Sequence, residues 1–266
     1  MTSFEIRRLF SSRLFYASIV ISTILGLIGL FFYNESTQWH IAAGKPEAVS
    51  AYDAWLYCLG VAPGSLLKVI FPLMIAIPFC DSYLRDQKSG YINFVVTRGN
   101  YTTYLLSKYL TCGIAGSLIM GITLLLLLVV CFAFYPVNLP NTQVNLNPGG
   151  VFGGYYNNQP NLYIIAILAL NVVFGFAYSI LGLSASAILK NRFAVTAFPF
   201  LFYLALLIFS QLFKLKPLFP LGLIAPFETG NTGAAEYIAG YTLVTTIIFI
   251  FSYKLFKKPG ENVFDL

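Results

Sequence analysis

The sequence predicts an all-α, polytopic membrane protein with six transmembrane helices, and three observations carry that prediction. Hydrophobic residues make up 58% of the 266 positions and charged residues only 10%, where soluble domains carry about 25% charged residues. The apolar residues are gathered into tracts: 14–33, 110–135, 162–189 and 193–213 contain no Asp, Glu, Lys, Arg or His. About 20 such residues make a helix long enough to cross a hydrocarbon layer of about 30 Å. The basic residues lie mainly in alternate segments between the tracts, so that most fall on one side. Helices are the expected form, because an open sheet edge in lipid leaves backbone groups unsatisfied. The run Leu-Leu-Leu-Leu-Leu-Val-Val at 124–130 also lacks the alternation of a membrane-spanning strand.

In chain order, the expected spans fall near 14–33, 62–80, 110–133, 162–187, 193–213 and 237–253. Residues 1–13 form a cytoplasmic amphipathic prelude, in which Ser3 caps a short helix carrying Phe4, Ile6, Leu9 and Phe10, with Arg7, Arg8 and Arg13 near anionic headgroups. The first span is longer than the 7–15-residue core of a signal peptide and ends in Phe31, Phe32, Tyr33 and Asn34, so it is expected to stay in place. Residues 34–61 read as a first outer loop and 134–161 as a second, rich in Asn, Gly and Pro. With the N-terminus inside, 12 of the 16 Lys and Arg residues lie on the inner side. That bias sets both termini in the cytoplasm. It also accounts for the +6 net charge without nucleic acid, since the positives are spread over separate membrane edges.

The inner segment 81–109 has the most internal detail. Leu84, Asp86, Gln87 and Lys88 allow a short helix, Gly90 breaks it, and Ile92, Val95 and Val96 give a second short helix an apolar face ending at Arg98. Gly99-Asn100 is a turn, and Thr102 or Thr103 caps the next helix. Such an elbow either fits a partner's groove or is a membrane-surface hairpin.

This arrangement resembles the type-2 ABC exporter permease family over most of the chain: a short cytoplasmic prelude, six spans, and an acid followed by Gly, a short helix, a turn and Lys. The matching positions are Asp86, Gly90, Arg98, Tyr101 and Lys108. Asp86 stands where the family often has Glu, and the usual Pro is absent near Gly99-Asn100. The resemblance implies a single permease domain over 1–266, with Asp86, Gly90, Ile92, Phe94 and Arg98 forming a coupling interface for a cytosolic ABC ATP-binding subunit. Phe94 would be its apolar anchor. It further implies a second permease subunit, identical or different, surrounding lipid, ATP and Mg in the partner, and a multi-pass place in a bacterial cytoplasmic membrane. The expected activity is export of a hydrophobic peptide, lipid-like compound or drug. A secondary transporter and a non-transporting peptide-immunity or scaffold subunit are the alternatives.

No enzyme site or cofactor is expected in the chain itself. It has no Gly-x-x-x-x-Gly-Lys-Ser/Thr phosphate loop. His40 is its only histidine, and Cys58, Cys80, Cys112 and Cys131 lack the short spacing of a metal motif. Ser36, His40 and Asp53 share a loop without an evident oxyanion site. Two polar residues inside spans are transport-path candidates. Lys68 either snorkels to headgroups or faces a pathway, and Asn171 either lines a pathway or bonds a neighbouring helix. Gly113, Gly116 and Gly121 in the third span, and Gly175, Ser179, Gly182 and Ser186 in the fourth, each offer a close contact with a neighbouring helix. The topology places Cys80 and Cys112 near the inner boundary and Cys58 and Cys131 nearer the outer one, where the latter two are free to approach one another or to remain apart as apolar side chains.

Overall fold

A computed structural model describes residues 2–42, 44, 49–61, 66–98, 100–139, 153–229 and 233–262. The helices are α1 (Thr2–Phe10), α2 (Arg13–Ala42), α3 (Ala51–Leu56), α4 (Leu67–Ala76), α5 (Ser82–Lys88), α6 (Tyr91–Arg98), α7 (Tyr101–Phe134), α8 (Gly153–Asn158), α9 (Pro160–Ala185), α10 (Arg192–Leu212), α11 (Pro220–Ile224) and α12 (Ala234–Asn262). Among the described residues, five helices are long and apolar enough to cross a membrane: α2, α7, α9, α10 and α12. The chain is an all-α, multi-pass membrane protein.

The starts of these helices follow from local chemistry. Asn100 caps α7 by accepting from the Thr102 N–H at 2.9 Å, and Asn191 caps α10 by accepting from the Phe193 N–H at 3.0 Å. Pro160 opens α9, where its missing N–H costs no intrahelical bond. The most buried long helix is α9, packed against α7, α12, α10 and α4. Its closest approach is to α7. A Cβ on Gly116 would fall on the Ser179 hydroxyl and the Gly175 carbonyl, and one on Gly175 would come within 2.6 Å of the Gly116 carbonyl oxygen. Gly116 of α7 and Gly175 and Ser179 of α9 meet one another here, whereas Gly182 faces Cys80 and Pro199; close van der Waals packing is a main attraction between helices in lipid.

The second crossing departs from expectation. A single span over 62–80 is replaced by α4, whose ten residues cover about 15 Å. The missing length is supplied by part of the expected first outer loop. No Gly or Pro lies between Gly29 and Gly44, so α2 runs on to Ala42 instead of ending at Tyr33. After Ser50 the chain turns back into the bundle as α3, all six residues of which are buried. The Ser50 hydroxyl donates to the Asn138 carbonyl beyond the end of α7, and the Trp55 indole N–H donates to the Leu124 carbonyl inside it at 3.0 Å. A π-helical turn (Tyr57–Val61) follows, in which Gly60 takes φ 155°, a conformation open to glycine. Then α4 resumes the descent. Ile75 meets Ser179, and Phe79 lies under Lys108 near the Tyr101 end of α7. The chain therefore passes from the Asn138 end of α7 toward its Tyr101 end in two described pieces, residues 51–61 and α4.

Other boundaries shift less. Residues 101–109, expected in the inner segment, already belong to α7. Part of the expected second outer loop, 140–152, lies outside the described residues, and its remainder includes α8. Ser3 lies within α1 rather than capping it. That helix buries Glu5 and Leu9 while Phe4 and Phe10 face outward.

Candidate functional site

The elbow after the second crossing is built from α5 and α6. Gly90 sits between them at φ +72°, a left-handed conformation that glycine takes without a Cβ clash. Tyr83 on α5 and Tyr101 at the start of α7 share a hydroxyl–hydroxyl bond of 3.0 Å, which ties the near side of the elbow to the next long helix. On α6, Ile92 and Val95 are buried one turn apart, and Tyr91 and Phe94 are exposed one turn apart. Phe94 is 63% exposed, far more than a packing role requires.

Behind the elbow lies a knot of buried charge. The Lys108 ammonium, with no exposed surface, donates to Glu5 Oε2 at 2.8 Å and lies 2.7 Å from Asp86 Oδ2. Arg8 donates to Asp86 Oδ1 at 2.8 Å, and the Tyr104 hydroxyl donates to Asp86 Oδ2 at 2.7 Å. The rings of Phe79 and Tyr104 stand 5.3 and 5.6 Å from the ammonium. Two acids and two bases cancel, so neither sign is left unbalanced in a poorly solvated place. Burial pushes the Asp86 carboxyl up, but Lys108, Arg8 and Tyr104 outweigh it and hold the group below its ordinary value. Burial lowers the Arg8 guanidinium, yet its bond and charge interaction with Asp86 raise it overall. The knot joins the prelude α1, the elbow helix α5 and the long helix α7.

The five expected interface residues thus divide. Asp86 and Ile92 are buried, Gly90 forms the hinge of the hairpin, and Phe94 faces outward. Arg98 closes α6, and its side chain lies outside the described residues, as does Gly99. Glu5, Arg8 and Tyr104 were missed as site residues. The available signal was a single acid, Glu5, among Arg7, Arg8 and Arg13.

Compared with known proteins, the chain matches no family model, no curated protein and no solved structure.

The two path candidates also have defined places. Lys68 stands at the break in the second crossing, where its ammonium donates to the Gly60 carbonyl at 2.6 Å and its own carbonyl accepts from the Tyr203 hydroxyl at 3.1 Å. A cation at that carbonyl suits the negative end of the upper helical piece. Asn171 is fully buried, and its amide nitrogen donates to the carbonyls of Ile167 and Ile224 at 2.9 Å each, so it pins α11 to α9. Its oxygen has no partner among the described residues. At the far end of the bundle, buried Asp53 accepts from the Tyr156 hydroxyl. Cys58 and Cys131 are neighbours at 3.8 Å, and Cys80 and Cys112 at 3.7 Å, all four as free thiols. No group of three or more metal-ligating side chains occurs among the described residues.

Proposed function

We propose that this chain is the membrane-spanning subunit of an ATP-driven ABC exporter, moving a hydrophobic peptide, lipid-like compound or drug. Energy would come from a separate cytosolic ATP-binding subunit. The observation that carries this reading is the two-sided elbow: α6 offers Tyr91 and Phe94 outward, while α5 is tied through Asp86 to α1 and α7. An exposed aromatic on a braced helix suits an anchor in a partner's groove. A push received there reaches two other helices through charged bonds rather than through a slack loop. ATP and Mg would bind in the partner, and the chain's part would be to change the relative populations of helix arrangements. A second copy or a related permease completes the proposed assembly, with the elbow end in the cytoplasm of a bacterial cell.

A second reading, an ion-coupled secondary transporter, draws on the broken second crossing, since interrupted helices often hold substrates or ions in such proteins. The experiment that separates them is purification with native associated chains, followed by flux in vesicles. Recovery of an ATP-binding chain that is lost from Phe94→Ala, with ATP-dependent flux, is expected. Flux driven by an ion gradient with no such companion would establish the second reading instead. Saturable cargo binding without vectorial movement would favour a scaffold or immunity role.

A further inference from the structure

The chain's four cysteines fall into two pairs, each joining the second crossing to α7. Cys58, in the π-helical turn, lies 3.8 Å from Cys131 between sulfurs, and Cys80, just beyond α4, lies 3.7 Å from Cys112. All four side chains are fully buried. Along α7 the two pairs stand about 28 Å apart at 1.5 Å per residue, close to the thickness of a hydrocarbon layer of about 30 Å.

The pairs match in distance but not in chemistry. Cys80 and Cys112 each donate to the Ser179 carbonyl at 3.3 Å, so both S–H groups at the elbow end have an acceptor. Among the described residues no carbonyl serves Cys58 or Cys131 in this way, and their sulfurs lie against each other. Around them residues 51–61 are already fastened to α7. The Ala51 N–H donates to the Pro136 carbonyl just past its end at 3.0 Å, and the Trp55 indole N–H donates to the Leu124 carbonyl at 3.0 Å. The two sulfurs must close by about 1.8 Å to reach the roughly 2.0 Å of a disulfide, which rotation about the two Cα–Cβ bonds can supply.

We propose that Cys58 and Cys131 are joined by a disulfide bond in the membrane-embedded chain, while Cys80 and Cys112 remain thiols. The assignment rests on the orientation proposed above, which puts the elbow end in the reducing cytoplasm and the Cys58–Cys131 end on the oxidising side. The oxidant is a disulfide-bearing thiol oxidase, acting before residues 51–61 close over the pair. One cysteine thiolate attacks the oxidase disulfide and displaces one of its sulfurs; the second then attacks the mixed disulfide and displaces the other. Two electrons and two protons pass from the chain to the oxidase, which leaves as a dithiol. The bond pins the upper piece of the second crossing to α7 and closes a loop that contains α4, the elbow and most of α7.

The test uses the full chain in its native membrane, with cells quenched in acid and the thiols then alkylated in denaturant, so that burial hides none of them. Peptide mapping is expected to find Cys80 and Cys112 alkylated before reduction, and Cys58 and Cys131 only after it, as one linked pair. Cys58→Ser should open Cys131 to alkylation without reductant, and Cys131→Ser should do the same for Cys58. All four cysteines alkylated without reductant, or both pairs oxidised alike, would overturn the proposal. A bond between Cys80 and Cys112 with Cys58 and Cys131 free would overturn it too, by reversing the orientation. The exporter reading fails separately. An intact Cys58–Cys131 bond with no ATP-binding companion would sink that reading alone, and a companion recovered with all four thiols free would sink only the bond.

Discussion

Lys108 and Asp86 come from opposite sides of the elbow, yet their charged atoms lie 2.7 Å apart with Lys108 wholly enclosed. Removing the cation alone leaves Glu5 and Asp86 as neighbouring buried acids. Breaking such a pair from one side costs about 3–5 kcal/mol. Lys108→Met should therefore lower the thermal midpoint in detergent substantially. A variant carrying Lys108→Met together with Glu5→Gln should recover part of the loss, because one stranded acid is removed with the base.

The same knot has a pH signature. The Asp86 carboxyl is held below its ordinary value in the folded chain, so its stabilising contribution is complete above that ordinary value and disappears as pH falls through the folded one. Docking of α1 should be insensitive to Asp86 between about pH 5 and 8 and weaken below about pH 4. A spin label at Phe4→Cys should become more mobile in acid. In an Asp86→Asn background, the acid step assigned to this carboxyl should vanish.

Partner binding and stability separate on the elbow. Phe94→Ala removes an exposed ring and should leave thermal unfolding unchanged. If Phe94 anchors the proposed ATP-binding subunit, affinity for that subunit should fall by about 2 kcal/mol, or roughly thirtyfold, as titration of the purified components would show.

Packing at the α7–α9 seam predicts a graded response to added volume. Gly116→Val must displace Ser179 and the Gly175 backbone, and overpacking of this kind costs about 1–3 kcal/mol. Gly121→Ala meets only a Val172 methyl at 3.3 Å and should have a much smaller effect. Parallel thermal melts of the two variants compare backbone crowding with side-chain crowding in the same helix.

Asn171→Leu should release α11 from α9 by leaving the Ile224 carbonyl without this donor. Hydrogen bonds between membrane helices are worth about 0.6–2 kcal/mol, so a modest loss of stability is expected. Faster hydrogen exchange in 220–224 would locate it. A fall in midpoint without faster exchange there would contradict the assigned tie.

The long helices were legible where an uncharged tract ended in strong punctuation. The tract ending before Lys190, Asn191 and Arg192 separates α9 from α10 almost where the structure does. The second crossing was not legible for a physical reason. Asp53 gives 51–61 the look of an exposed loop, but the Tyr156 hydroxyl that satisfies it is 103 residues away. Gly60 then breaks the helix through its backbone, which an apolar tract does not register. At the elbow, the two short helices and the Gly90 turn followed from local pattern. The burial of Asp86 did not, because Arg8 reaches it from 78 residues upstream.

The interruption at Gly60 also divides a mechanical task. The upper piece is fastened to α7 by Trp55, while the lower piece meets α9 and continues into the elbow. The Lys68–Gly60 bond ties the two pieces to each other. Under the proposed coupling, a displaced elbow would act first on the lower piece, because Trp55 holds the upper one to α7.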